Sequence, residues 1–84
     1  MNRRHQRTLE KIFEKPVRSD VKWSDIESLL IALGAALSEG SGSRVRIELN
    51  GEDAVVHRPH PRPEADKGSL VSMRRFLVQM GVKP

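Results

Sequence analysis

Two of the three histidines in this 84-residue chain stand among arginines, and they are the residues with most chemistry to offer. His57 and His60 flank Arg58 and Pro59 in the run His57-Arg58-Pro59-His60-Pro61-Arg62-Pro63. Imidazole exchanges a proton near neutral pH, so it can act as general base or general acid. Those two tasks cut RNA without a metal: a base takes the 2′-hydroxyl proton and an acid serves the leaving oxygen. A neighbouring guanidinium holds the phosphate and stabilises its added charge. The plainer alternative is that both imidazoles only touch phosphate or solvent. As metal ligands they lack a third partner, because the chain has no cysteine and the nearest acid is Glu64. No metal and no cofactor is expected. His5 lies in a polar N-terminal stretch, residues 1–7, that is expected to fray.

Other residues are candidates for anion contact. Lys67-Gly68-Ser69 stands before an apolar-periodic segment, and free backbone N–H groups at a helix start attract anions. The spacing of a P-loop is absent. Arg74 and Arg75 fall on the same segment; they are solvated charge or a basic rim beside a sheet. No Ser/His/Asp arrangement and no dinucleotide fingerprint is present. Trp23, Phe13 and Phe76 are the only aromatics, too few for a base-stacking platform. Trp23 is expected in the core, with base stacking as the alternative.

The elements that must position these groups can be read from periodicity. Thr8 is expected to cap a short helix over 9–15, with Leu9, Ile12 and Phe13 on one face and Pro16 as its stop. Val17 and Val21 in the following link are packing candidates. Ser24-Asp25-Ile26-Glu27 has capping-box form, and Trp23, Ile26, Leu29, Leu30 and Leu33 follow at helical spacing. This predicts a helix over 24–33 ended by Gly34. Residues 35–39 are a candidate short strand. Residues 43–49 alternate, with Val45, Ile47 and Leu49 on one side and Arg44, Arg46 and Glu48 on the other. Asn50-Gly51 is a hairpin signal, and Ala54 and Val56 return on the core side with Val55 and His57 outward. A two-residue turn sets Arg44 against His57, and Glu48 against Asp53 as an unfavourable like-charge pair. A four-residue turn sets Arg46 against His57. Either register puts His57 on the solvent-facing sheet surface with two arginines, because the shift between them is two residues. The three prolines that follow end the strand. Ser69 is expected to cap a last helix over 70–80, with Leu70, Met73, Leu77 and Met80 on one face and Gly81 at its end. The fold class is α+β: a small antiparallel sheet of about three strands, helices on one face, the other face open.

Composition bounds the rest. Hydrophobic residues are 37% and charged residues 31%, which suits one small globular domain with a thin core. The longest apolar stretch, Leu29 to Leu37, is too short to cross a bilayer. No secretory signal is read at the start, so a cytoplasmic protein is expected. The net charge is +4. Residues 1–19 carry six bases against two acids, whereas residues 20–40 carry one base against four acids. Basic ends and a basic hairpin suggest a polyanionic partner such as nucleic acid; solubility charge is the alternative.

Residues 24–81 resemble the HicA-type toxins of bacterial type II toxin–antitoxin pairs. The resemblance rests on the helix ending Leu33-Gly34, then Gly42-Ser43-Arg44 opening a strand, Val55-Val56 on the next, and Pro59-His60 after it. Lys67-Gly68-Ser69-Leu70 then opens a helix ending Leu77-Val78-Gln79-Met80-Gly81. It implies a double-stranded-RNA-binding-like α-β-β-β-α fold, cleavage of mRNA, and a HicB-type antitoxin covering the active face. It divides the chain into a basic N-terminal extension with a short helix, 1–23, and a HicA-like RNA-binding domain, 24–84. One departure stands out: Arg44 occupies the position of the family's catalytic His, and arginine cannot serve as a base. His57, across from Arg44 in one register, is the candidate replacement, and His60 matches the family's later His. The RNA-contacting set expected is Ser43, Arg44, Arg46, Arg58, Lys67, Ser69, Arg74 and Arg75. An endoribonuclease needing neither metal nor cofactor is the first reading. A binding module of the same fold that does not cut, or a protein-interaction domain meeting an acidic partner, is the alternative.

Overall fold

The alternation of residues 44–57 organises the molecule. In the computed structural model, which describes residues 1–84, the elements are α1 (Arg3–Ile12), α2 (Trp23–Ala32), β1 (Ala36–Glu39), β2 (Arg44–Leu49), β3 (Glu52–His57) and α3 (Lys67–Gln79). The three strands form one antiparallel sheet in the order β1-β2-β3. Asn50 and Gly51 both have positive φ, 53° and 80°, as a two-residue type I′ turn requires. That turn selects the first of the two registers: Arg44 pairs with His57, Val45 with Val56 and Glu48 with Asp53. Residues 36–39 do form a strand, pairing Leu37 with Ile47 and Glu39 with Val45. After α1 the order is α-β-β-β-α, an α+β domain with its helices on one sheet face, as expected.

Val45, Ile47 and Leu49 are buried beneath the helices while Arg44, Arg46 and Glu48 are exposed. A single cluster of 15 buried hydrophobic residues joins them to α2, α3 and α1. Trp23 is among them at 6% exposure, so it is a core residue rather than a stacking surface. Its indole Nε1 has no hydrogen-bond partner. Leu9 and Ile12 of α1 are fully buried. Each contributes about 1.5–3 kcal/mol, a large share of the roughly 5–15 kcal/mol that holds a domain folded. α1 therefore belongs to the core. Arg74 of α3 reinforces this: its guanidinium donates to the carbonyls of Ile12 (3.1 Å) and Glu14 (3.0 Å), satisfying the end of α1.

α2 and α3 both end in the same way. Gly34 and Gly81 adopt positive φ, and the next residues close six-to-one bonds, Ala35 N–H to Leu30 and Val82 N–H to Leu77, both 2.9 Å. The helix starts differ from expectation. Residues 3–7 are helical rather than frayed, because Asn2 accepts from the His5 N–H (2.8 Å) and caps α1 six residues before Thr8. Thr8 is inside the helix, buried, its hydroxyl donating to the Arg4 carbonyl. The capping box at Ser24 does not form: α2 begins at Trp23, with no side-chain cap. The physical reason is tertiary. Lys22 pairs with Glu64 in an isolated bridge, and the Trp23 N–H donates to the Pro63 carbonyl (2.9 Å). α3 likewise begins at Lys67, where Asp66 rather than Ser69 is the cap, its carboxylate accepting from the Ser69 N–H (2.7 Å).

The proline run forms a strap. It leaves β3 with Arg58 N–H on the Ser43 carbonyl (2.7 Å) and reaches the start of α2 at Pro63 and Glu64. Its prolines have no backbone N–H to continue a ladder, and the chain bends over residues 61–63.

Candidate nucleic-acid interface

Register and alternation define the uncovered sheet face. It carries Ala36 and Ser38 from β1, Arg44, Arg46 and Glu48 from β2, and Asp53, Val55 and His57 from β3. At one end Arg44 and His57 are direct cross-strand neighbours, a relation that puts Cβ atoms about 4.5–5.5 Å apart. Both are exposed, and neither makes a salt bridge. Arg46 is next along β2, but its guanidinium is bound to Asp53, a diagonal neighbour. At the turn end Glu48 faces Asp53.

Gly40 supports Arg44. Its N–H donates to the Arg44 carbonyl at 2.8 Å, and a Cβ built on it would lie 3.2 Å from the Arg44 Cβ. The backbone approaches this closely because residue 40 has no side chain.

His57 also borders a groove between β3 and the start of α3, lined by Val55, Asp66, Gly68, Ser69 and Ser72. The Asp66 carboxyl titrates below its ordinary range: the Ser69 backbone N–H holds the ionised form first, then the Ser69 hydroxyl, and His57 adds attraction. This corrects one expectation. The Ser69 N–H is already taken by Asp66, so the helix start has one fewer free donor for an external anion. Lys67 is exposed on the first turn and unpaired in any salt bridge.

The remaining candidates lie elsewhere. His60 lines a different groove, with Gly42, Ser43, Arg58 and Pro59. Arg58 follows His57 and so turns to the opposite side of the sheet, where it bonds Glu39 (2.9 Å) and lies 3.8 Å from Glu27. Arg74 is held on the end of α1, and Arg75 is exposed on α3. The structure thus brings Arg44, Arg46 and His57 together and adds Ser69 at the groove. It does not bring Ser43, Arg58, His60 or Arg74 to the same surface. Sequence reasoning missed Gly40, Asp66 and the tie between Arg46 and Asp53. The last was derivable, because the two-residue register makes them diagonal neighbours.

Fold and charge together define a small α+β domain with one sheet face uncovered and cationic at one end. A family model described as HicA toxin of bacterial toxin-antitoxin matches residues 23–82, and the chain belongs to that family. It is a toxin of the toxin–antitoxin type, whose partner is a cognate antitoxin. Comparison with curated proteins and with solved structures returned no match. No helix is long and apolar enough to cross a membrane.

Proposed function

We propose that this toxin binds mRNA on the uncovered sheet face and cleaves it without a metal, acting in the cytoplasm. A HicB-type antitoxin would silence it by covering that face. The observation that carries this reading is the pairing of Arg44 with His57. Arg44 clamps the scissile phosphate through its fork of donors. His57 takes the 2′-hydroxyl proton, O2′ bonds to phosphorus, and the bond to the 5′ oxygen breaks as that oxygen takes a proton from solvent water. A 2′,3′-cyclic phosphate and a 5′-hydroxyl end result. His60, in a separate groove, is the alternative acid–base candidate.

The test is induced expression in a bacterial host, comparing wild type with His57→Ala and His60→Ala at equal soluble level. Wild type is expected to arrest growth and degrade a reporter mRNA, in EDTA-containing extracts as well, and His57→Ala to do neither. Intact RNA in all three would overturn the nuclease. One observation favours a second reading, an RNA-binding domain that does not cut: the residue at position 44 is a permanent cation. Salt-sensitive RNA binding by wild type with no cleavage would select it.

A further inference from the structure

α1 carries a concentration of charge that its own folding does not use. Arg3, Arg7 and Lys11 recur every four residues, and with Arg4 they share one face, lining a shallow groove with Thr8 and Asp25. Only Arg4 is paired, to Asp25 at 3.0 Å; Arg3, Arg7 and Lys11 make no salt bridge. Lys11, in the last turn, complements the helix dipole, but the bases at the start of α1 oppose it. A helix N-terminus is already partly positive, and like charges four residues apart repel. The first turn of α1 holds no acid, and its cap, Asn2, is neutral. The other two helices do the reverse: α2 has Asp25 in its first turn, and α3 is capped by Asp66. An anion resting on the α1 face would relieve both conflicts.

We infer that this face of α1 binds the phosphate backbone of single-stranded RNA, as a contact surface separate from the sheet. Four helical residues advance about 6 Å, comparable to the separation of neighbouring phosphates on an extended polynucleotide strand. Three of the four bases are arginines, whose forked donors match phosphate oxygens. A membrane surface fits less well, because Leu9 and Ile12 on the opposite face are buried in the core and leave nothing to insert. The inference needs only affinity and does not depend on cleavage by the sheet.

The experiment measures binding of a fluorescent 2′-O-methyl oligonucleotide, which cannot be cut through its 2′ oxygen, over a range of salt. The full chain is compared with Arg3→Gln/Arg7→Gln/Lys11→Gln and with Arg44→Gln. The triple variant is expected to bind at least about tenfold more weakly at low salt, with a log–log salt slope shallower by about 2. Should Lys11, half-buried, prove necessary for folding, Arg3→Gln/Arg7→Gln is expected to flatten the slope by about 1.4. Unchanged affinity and slope would overturn the inference. So would a loss seen only with phosphatidylserine-containing vesicles or with poly-glutamate. If Arg44→Gln loses binding and the triple variant does not, the α1 surface fails while the sheet reading stands; the opposite pattern separates them the other way.

Discussion

Arg44 and His57 are partners at the final paired position of the β2–β3 ladder, on the uncovered face, with the guanidinium and the imidazole both free of acidic neighbours in salt bridges. The ladder places a fixed cation beside the one group there that can carry a proton. Their roles should separate on substitution. His57→Ala is expected to lower RNA cleavage by about 10²–10⁴-fold while leaving the salt slope of RNA binding unchanged. Arg44→Ala should lower cleavage and also flatten the slope by about 0.7, the contribution of one phosphate contact. Single-turnover cleavage beside titrations at several salt concentrations measures both.

Gly40 gives a test of positioning. A Cβ there would press on the Arg44 Cβ at 3.2 Å, so Gly40→Ala should shift Arg44 by a few tenths of an ångström. Gly40 has no positive φ, so the backbone itself tolerates alanine. Cleavage is expected to fall several-fold with little change in Tm, since small misplacements of a catalytic contact are costly. A thermal melt and a cleavage assay on the same sample check this.

Asp66 links stability to acid. Its carboxyl is held below the ordinary range, first by the Ser69 backbone N–H. A depressed carboxylate stabilises the fold above its unfolded pKa and loses that stabilisation as pH falls through the folded value. Asp66→Ala should therefore cost about 1 kcal/mol at neutral pH. In a domain of this length that is a Tm lower by about 4–8 °C. The gap from wild type should begin to narrow near about pH 4, where the unfolded carboxyl starts to protonate, and close only at lower pH as the folded carboxyl protonates too. Melts from pH 7 down to pH 3 measure it.

Arg74→Met keeps the aliphatic stem and removes the donors that α3 extends to Ile12 and Glu14. Loss of about 1–2 kcal/mol is expected, because charged donors to carbonyls are worth more than neutral ones. Hydrogen exchange should show the loss in residues 9–14 first, while the sheet amides keep their protection.

The sheet was legible because two local rules agree there. Strict alternation over 44–49 sets the faces, and Asn50-Gly51 sets the turn, so the Arg44–His57 relation follows from sequence alone once the two-residue turn is taken. Helix starts were less legible, because tertiary pairing decides them. Ser24 looks like a cap until Lys22 is drawn into a bridge with Glu64 and the helix opens a residue early. Ser69 looks like a cap until Asp66, three residues before it, proves to accept its N–H. Arg58 reads as a phosphate contact because it neighbours His57 in the sequence. Continuing the alternation by one residue sends it to the helix side, toward Glu39 and Glu27. Arg74 could not be placed from sequence, since its partners lie some sixty positions away.

The like-charged pair Glu48 and Asp53 sits near the Asn50–Gly51 tip, and the Arg44–His57 pair sits at the opposite end of the same ladder. A polyanion meeting this face therefore encounters an electrostatic incline: repelled at the tip, drawn toward the base, with Arg46 half-neutralised between them by Asp53. Such an incline gives an incoming strand a heading before any base is read, and it shortens the search to the end of the sheet where His57 stands.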